Sequence, residues 1–230
     1  MRCSQGCCAV AIDLHQWKQI LAANVKGRAL SAGYPDMLIA PKDWGVGPAI
    51  ITIRPDSAKV AAHHGWRGDI CDSHDLFMRH GLELEVIDRA VYQGCERVVD
   101  LNEWSKLGDG GDGYDLVIDP GTSEHCFNIP QALVNLADAV KVGGCISQAL
   151  PMAMFNHGYW NVNPVALIDF YEANGFRIER MLLRHERGNF EPGVDTLRRR
   201  LSGVPDGAVN LLLARRLERK AFRWPQQKLP

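Results

Sequence analysis

No stretch of this 230-residue chain approaches the ~20 consecutive apolar residues that a membrane span needs, so no spanning helix and no membrane partner are expected. The opening segment, MRCSQGCCAVAIDLHQW, carries one early Arg and a short apolar stretch broken by Asp13 and His15. A cleaved secretion signal is therefore not expected. A basic excess is also missing: Lys+Arg 26 against Asp+Glu 27 leaves a formal net charge of -1. Proteins that grip a nucleic-acid backbone usually carry such an excess, so no nucleic-acid partner is expected. The local runs Arg198-Arg199-Arg200 and Arg215-Arg216 read as a solvated helix face and a strand end. Paired cysteine motifs are absent too. The seven cysteines are odd in number and scattered, with only Cys3, Cys7 and Cys8 close together. That usage points to reduced thiols in the cytoplasm and gives no disulfide framework. Without a CxxC pair or a matching His set, no metal site is expected.

What is present is the composition of one ordinary globular domain, 46% hydrophobic and 23% charged. The single domain is expected to span residues 1–230, with a helical extension over 1–27 and a C-terminal tail over 218–230. Periodicity predicts a helix near 12–25, then a short buried strand, Arg28–Ala32, ending at Gly33. A β-branched strand follows at 48–54 (the AIITIR run), and a helix over Asp72–His80 with Asp72 or Ser73 as cap and Gly81 as stop. Strands are expected at Leu84–Asp88, Glu96–Asp100 and Tyr114–Asp119. The glycine-rich 108–113 segment before the last of these is a loop, because phosphate loops follow a strand and open a helix. A helix over Ile129–Val140, a break at Val142-Gly143-Gly144 and a strand over Cys145–Leu150 come next. The pattern closes with a helix at Pro164–Asn174 and strands at Phe176–Arg184 and Ala208–Leu217. Strands alternating with helices imply a doubly wound, mainly parallel α/β sheet of seven strands, with an antiparallel pair at its C-terminal edge.

In such a sheet ligands bind beyond the carboxyl ends of the strands. Here those ends are polar: Gly33-Tyr34-Pro35-Asp36, Asp88, Asp100-Leu101-Asn102, and Asp119 through His125. Acids in succession suit a nucleoside, one carboxylate taking a ribose diol and another polar group the adenine edge. Loop polarity alone accounts for any single one of them.

The order of these pieces resembles a class I S-adenosylmethionine-dependent methyltransferase. In particular, YQGCERVVDLN, DPGTSEHCFN, NHGYWNVNP and the terminal Trp224-Pro225-Gln226-Gln227 are similar to a bacterial subgroup reading YEGA…DLN, DGGTxEHVFN, GHGFYxFSP and PQQ. The resemblance covers about residues 28–185 and the tail. It implies a Rossmann-like methyltransferase fold and S-adenosylmethionine held by Gly33, Asp36, Asp88, Asp100, Leu101, Asn102, Asp119, Gly121 and Thr122. It also implies transfer to a small molecule or a sugar of a surface polysaccharide.

Methyl transfer is an in-line displacement, which a positioned base assists when the acceptor is a hydroxyl. His125 and His157 stand where the resemblance places the pocket, with Glu124 to orient His125. Asn156, Tyr159 and Trp160 then wall the acceptor. His125 also reads as a helix-cap histidine. His63, His64 and His74, with Asp69, Asp72 or Asp75, read more simply as a loop entering a helix than as metal ligands. Two alternatives stay open. The glycine motif is reduced to Ser31-Ala32-Gly33-Tyr34-Pro35-Asp36, and Pro35 supplies no N–H, which fits a non-catalytic scaffold or binding module on the same fold. A nicotinamide-dependent oxidoreductase lacks its G-x-G-x-x-G. Whether the chain pairs with a copy of itself or with a protein partner is left open.

Overall fold

The structure, a computed structural model, describes residues 10–46, 51–108, 113–185 and 188–227. In chain order the regular elements are β1 (Val10–Asp13), α1 (Leu14–Ala23), β2 (Gly27–Ala32), β3 (Pro35–Leu38), α2 (Ser57–His64), α3 (Ser73–Arg79), β4 (Leu82–Asp88) and β5 (Arg97–Val98). They continue as β6 (Tyr114–Asp119), α4 (Ile129–Ala139), β7 (Val140–Ala153), α5 (Pro164–Ala173), β8 (Phe176–His185), β9 (Gly188–Phe190), α6 (Val194–Leu197) and β10 (Ala208–Arg216).

The main sheet runs β5-β4-β2-β6-β7-β10-β8-β9. Its first five strands are parallel, while β10 is antiparallel to both β7 and β8. This is the doubly wound α/β sheet with an antiparallel C-terminal pair expected of the methyltransferase fold. The sheet has eight strands and not seven, because the chain beyond β8 folds back as β9 and pairs His185 with Gly188. The chain steps outward from β2 to β4 and β5, then returns to β6 on the other side of β2. Strand order therefore reverses between β2 and β6, where the sheet opens a crevice.

Alternation in β6 shows how the sequence builds the layers. Val117 enters a core with α4 and α5, whereas Leu116 and Ile118 on either side of it enter a second core with α1 and α3. A strand buried on both faces reads as continuous hydrophobicity, as Tyr114–Asp119 does. Helix α1 starts because the Asp13 carboxylate accepts the N–H groups of His15 and Gln16. It stops at Asn24, whose φ of 49° lies in the left-handed region that Asn tolerates. Helix α3 is capped by Asp72, as expected.

Several expectations change. The AIITIR run is not a strand where the structure describes it: Ile53 makes an isolated bridge to Cys71, and the Thr52 N–H donates to the Asp75 carboxylate at 2.7 Å instead of to a ladder. The strand expected over Glu96–Asp100 shrinks to Arg97–Val98, because the Glu96 carboxylate gathers the N–H groups of Gln93, Gly94 and Cys95 into a turn. Val142-Gly143-Gly144 does not break the chain but lies within β7, beside a register shift against β6. A Cβ at Gly144 would stand 2.8 Å from the Tyr114 carbonyl, so glycine there permits a close backbone approach. The N-terminal region is not wholly helical, since β1 pairs in parallel with β3. The core of the 108–113 loop and the Cys3/Cys7/Cys8 group lie outside the described residues. The tail has no regular structure over 217–227, and Asn174 holds it by two hydrogen bonds to the Arg223 backbone.

Candidate functional site

A cleft of about 560 Å³ opens at the carboxyl ends of the parallel strands. One wall comes from the end of β4 and the segments after β4 and β5: Ile87, Asp88, Arg89 and Tyr92, then Val99, Asp100, Leu101 and Asn102. The other comes from the segments after β6 and β7: Thr122, His125 and Cys126, then Asn156, His157, Gly158 and Tyr159. The volume falls in the range of pockets that hold a cofactor or a drug-sized ligand.

On the first wall the Asp88 carboxylate accepts the Arg89 N–H at 2.6 Å. Burial, reinforced by the nearby Glu96 charge, raises its pKa above the usual carboxylate value despite the Arg89 N–H. Asp100 is held the other way: the Asn102 N–H and side-chain amide both donate to it, at 2.9 Å each, and lower its pKa. Asn102 also accepts from the Asn128 N–H and so ties this wall to the start of α4. Ile87, Val99 and Leu101 supply apolar surface between the polar groups.

The second wall is two loops locked together. The Tyr159 N–H donates to the Glu124 carbonyl at 2.9 Å, and the Trp160 indole N–H donates to the Cys126 and Phe127 carbonyls. Gly158 permits this contact, since a Cβ there would lie 2.9 Å from both the Glu124 carbonyl oxygen and its Cγ. Asn156 turns the second loop with a φ of 62°, a conformation Asn adopts more readily than bulkier residues. The result brings the His125 and His157 rings to 5.2 Å. Glu124 Oε1 lies 3.9 Å from His125 Nε2 and 3.7 Å from His157 Nε2. These separations exceed a hydrogen bond, so Glu124 does not orient His125 by one. Burial, then the neighbouring Asp119, pushes the Glu124 pKa up to about 8. Burial and the second imidazole lower that of His125.

The structure thus brings together Asp88, Asp100, Leu101, Asn102, Thr122, His125, Asn156, His157 and Tyr159 around one cleft, with Glu124 buried behind the imidazoles. Other expected site residues stand elsewhere. Asp36 is buried in an ion-paired cluster with Arg54 and His64, because β3 turns away from the main sheet to pair with β1. Asp119 is fully buried and accepts from Thr122 N, Ser123 N, Ser123 Oγ and Gln148 Nε2, so it folds the loop that carries the cleft residues and does not face the cavity. Gly121 lies against Glu124 Oε1, and Trp160 braces the loop from outside the lining. Gly33, with a φ of +83°, makes the sharp turn expected of it, but its N–H donates to the Ile87 carbonyl. A Cβ there would lie 2.7 Å from Val10, so β1 fills the space beside the turn.

Arg89, Tyr92 and Cys126 line the cleft without having been expected to. Arg89 follows the β4 acid directly and Tyr92 stands four residues beyond it, and no spacing marks them. The Cys126 thiol is no nucleophile, since burial pushes its pKa up to about 12. His64 and His74 are engaged by Asp36 and by the Tyr34 ring. Against the expectation of no metal site, Glu124, His125 and His157 each offer a ligand atom within 4.8 Å of the others, a grouping unique among the described residues.

No protein-family model matches the chain, and no curated protein matches it. Solved structures with a similar trace include TehB from Haemophilus influenzae, at 11% identity and a TM-score of 0.39 over 86% of this chain. The 1,6-didemethyltoxoflavin-N1-methyltransferase of Burkholderia thailandensis, solved with 1,6-didemethyltoxoflavin and S-adenosylhomocysteine, is 12% identical, with a TM-score of 0.39 over 88% of this chain and 76% of its own. A variant of the 16S rRNA (adenine(1408)-N(1))-methyltransferase of Catenulisporales acidiphilia is 14% identical, with a TM-score of 0.39 over 91% of this chain and 95% of its own. The chain spans 61% of the length of TehB.

Proposed function

We propose that the protein is an S-adenosylmethionine-dependent methyltransferase acting on a small-molecule or sugar acceptor. The observation that carries this reading is a cleft in which a nucleoside-type wall faces a wall bearing an imidazole pair. The donor set fits the adenosine half of the cofactor. Asp88 offers a carboxylate to a ribose diol, Asp100 and Asn102 offer polar contacts to a base edge, and Ile87, Val99 and Leu101 offer apolar faces to a ring. Bound there, S-adenosylmethionine would supply a sulfonium whose methyl carbon is open to in-line displacement.

The chain's own work is then alignment, exclusion of water and handling of the acceptor's proton. Tyr159 and Asn156 wall the acceptor side. His125 and His157, held side by side by the locked loops, assist loss of the proton from an acceptor hydroxyl. Glu124 lies buried beneath them and sets the electrostatics of that wall.

One observation favours a second reading, a binding module that transfers no methyl. The Gly33 N–H is bonded to Ile87 and Val10 crowds the turn, so this turn offers no open cradle to the amino-acid half of the cofactor. Calorimetry with S-adenosylmethionine and S-adenosylhomocysteine, on the native protein and on Asp88→Ala, separates the two. Micromolar binding lost in the variant supports the transferase, and no binding to the native protein moves the conclusion to the module.

A further inference from the structure

We propose that Glu124, His125 and His157 form a binding site for a first-row divalent transition-metal ion. The argument begins with the carboxylate. Glu124 is 1% exposed, and its Oε2 has no hydrogen-bond partner. Among the described residues no Lys or Arg pairs with it; its titratable neighbours are the two imidazoles and the buried Asp119. Its ionised form lacks compensation in that position, which a cation, hydrogen bonds or a metal would supply.

Geometry selects the metal. The distances of 3.9 and 3.7 Å from Glu124 Oε1 to the two Nε2 atoms are too long for hydrogen bonds. Metal bonds of ~2.0–2.2 Å put neighbouring ligand atoms of a tetrahedral site about 3.4 Å apart, so the two Glu124–imidazole separations must close by a few tenths of an ångström, and the imidazole nitrogens, which lie within 4.8 Å of one another, by at most about 1.4 Å, through side-chain rotation. Two imidazoles and one carboxylate suit Zn²⁺, Fe²⁺, Mn²⁺ or Co²⁺, whereas Mg²⁺ and Ca²⁺ prefer oxygen donors throughout. The bond from the Tyr159 N–H to Glu124 and the tight seat of Gly158 fix the two loops before any ion arrives. Both imidazoles line the cleft, so the remaining positions of the ion face an incoming ligand.

Three protein ligands with an open position make a Lewis-acid centre. The acceptor it would select is one with a hydroxyl or vicinal diol able to ligate the ion, whose O–H would ionise more easily there and pass its proton to water in the cleft. In that mode the imidazoles assist deprotonation as ligands and not as bases. This catalytic role rests on the transferase reading, but binding of the ion does not.

The test is calorimetric titration of chelator-treated protein with Zn²⁺, and with Co²⁺ followed by visible absorption. One equivalent should bind, with Co²⁺ giving d–d bands of low-symmetry coordination. Affinity should fall by about 100-fold or more in His125→Ala and in His157→Ala, each with its thermal midpoint unchanged. A triple Cys3, Cys7 and Cys8 to Ser variant should bind as the native protein does. Absence of binding by the native protein, or affinity equal to native in either His variant, overturns the site, as does loss confined to the Cys variant. S-adenosylhomocysteine binding measured in chelator is independent: cofactor without metal leaves the transferase reading standing, and metal without cofactor leaves only the site.

Discussion

Replacing Asp88 by Asn should move ligand affinity and stability in opposite directions. Asn keeps the shape of the side chain and the oxygen that accepts the Arg89 N–H, but loses the charge and one acceptor. A hydrogen bond to a charged acceptor contributes about 1.5–3 kcal/mol, against roughly 0.5–1.5 kcal/mol for a neutral one. A ribose diol on Asp88 would therefore lose about 2–4 kcal/mol, or roughly 30- to 1000-fold in Kd. Stability follows the opposite sign. Burial, then the Glu96 charge, raises the Asp88 pKa in the folded protein. For an acid so shifted, the ionised form disfavours the fold at every pH above the unfolded value of about 3.9, and the effect vanishes below it. Asp88→Asn should thus raise the thermal midpoint of the ligand-free protein at pH 7, with no gain below about pH 4. Titration calorimetry with S-adenosylhomocysteine and thermal unfolding at both pH values provide the readouts. Binding within about threefold of native would refute the ribose assignment. A lowered midpoint at pH 7 would refute the electrostatic account.

Asp119→Ala should destabilise by about 3–5 kcal/mol, read as a lower urea midpoint, because it strips four donors, three of them buried, of their acceptor; a near-native midpoint would contradict its structural role. Gly158→Ala forces the methyl group against the Glu124 backbone and should cost about 1–3 kcal/mol. It should weaken Zn²⁺ binding while leaving S-adenosylhomocysteine affinity near native, and equal loss of both would show that the loops are not separable. Burial opposes ionisation of Glu96, yet its backbone donors outweigh it and the net pKa is lowered. Its contribution is therefore present above the unfolded value of about 4.3 and lost as pH falls through the lower folded value. Denaturation of Glu96→Gln across pH should show lower stability than native at pH 7 and a flatter acid limb; an unchanged curve would sink the assignment.

Legibility in the sequence followed the kind of interaction. Periodic burial marked β4, β6, α4, α5, β8 and β10 nearly to their ends, since a strand or helix face must be apolar where the core covers it. The runs that misled were those whose backbone is claimed by side chains. Thr52 donates to Asp75, and the turn before β5 is gathered by Glu96, bonds that no hydrophobic pattern announces. Asp36 looked like its neighbours in the acid series and stands apart from them, because its strand leaves the sheet.

By itself, then, the sequence determined the α/β order and the polar ends at which β4, β5 and β6 stop, because both are local consequences of burial and turn chemistry. It could not determine that the loops after β6 and β7 would close on each other. That depended on one backbone bond from Tyr159 to Glu124 and on the missing Cβ of Gly158, across more than thirty residues of chain. Only this tertiary contact sets His157 beside His125 over a buried, uncompensated carboxylate, since the position of a side chain in a cleft depends on what packs behind it.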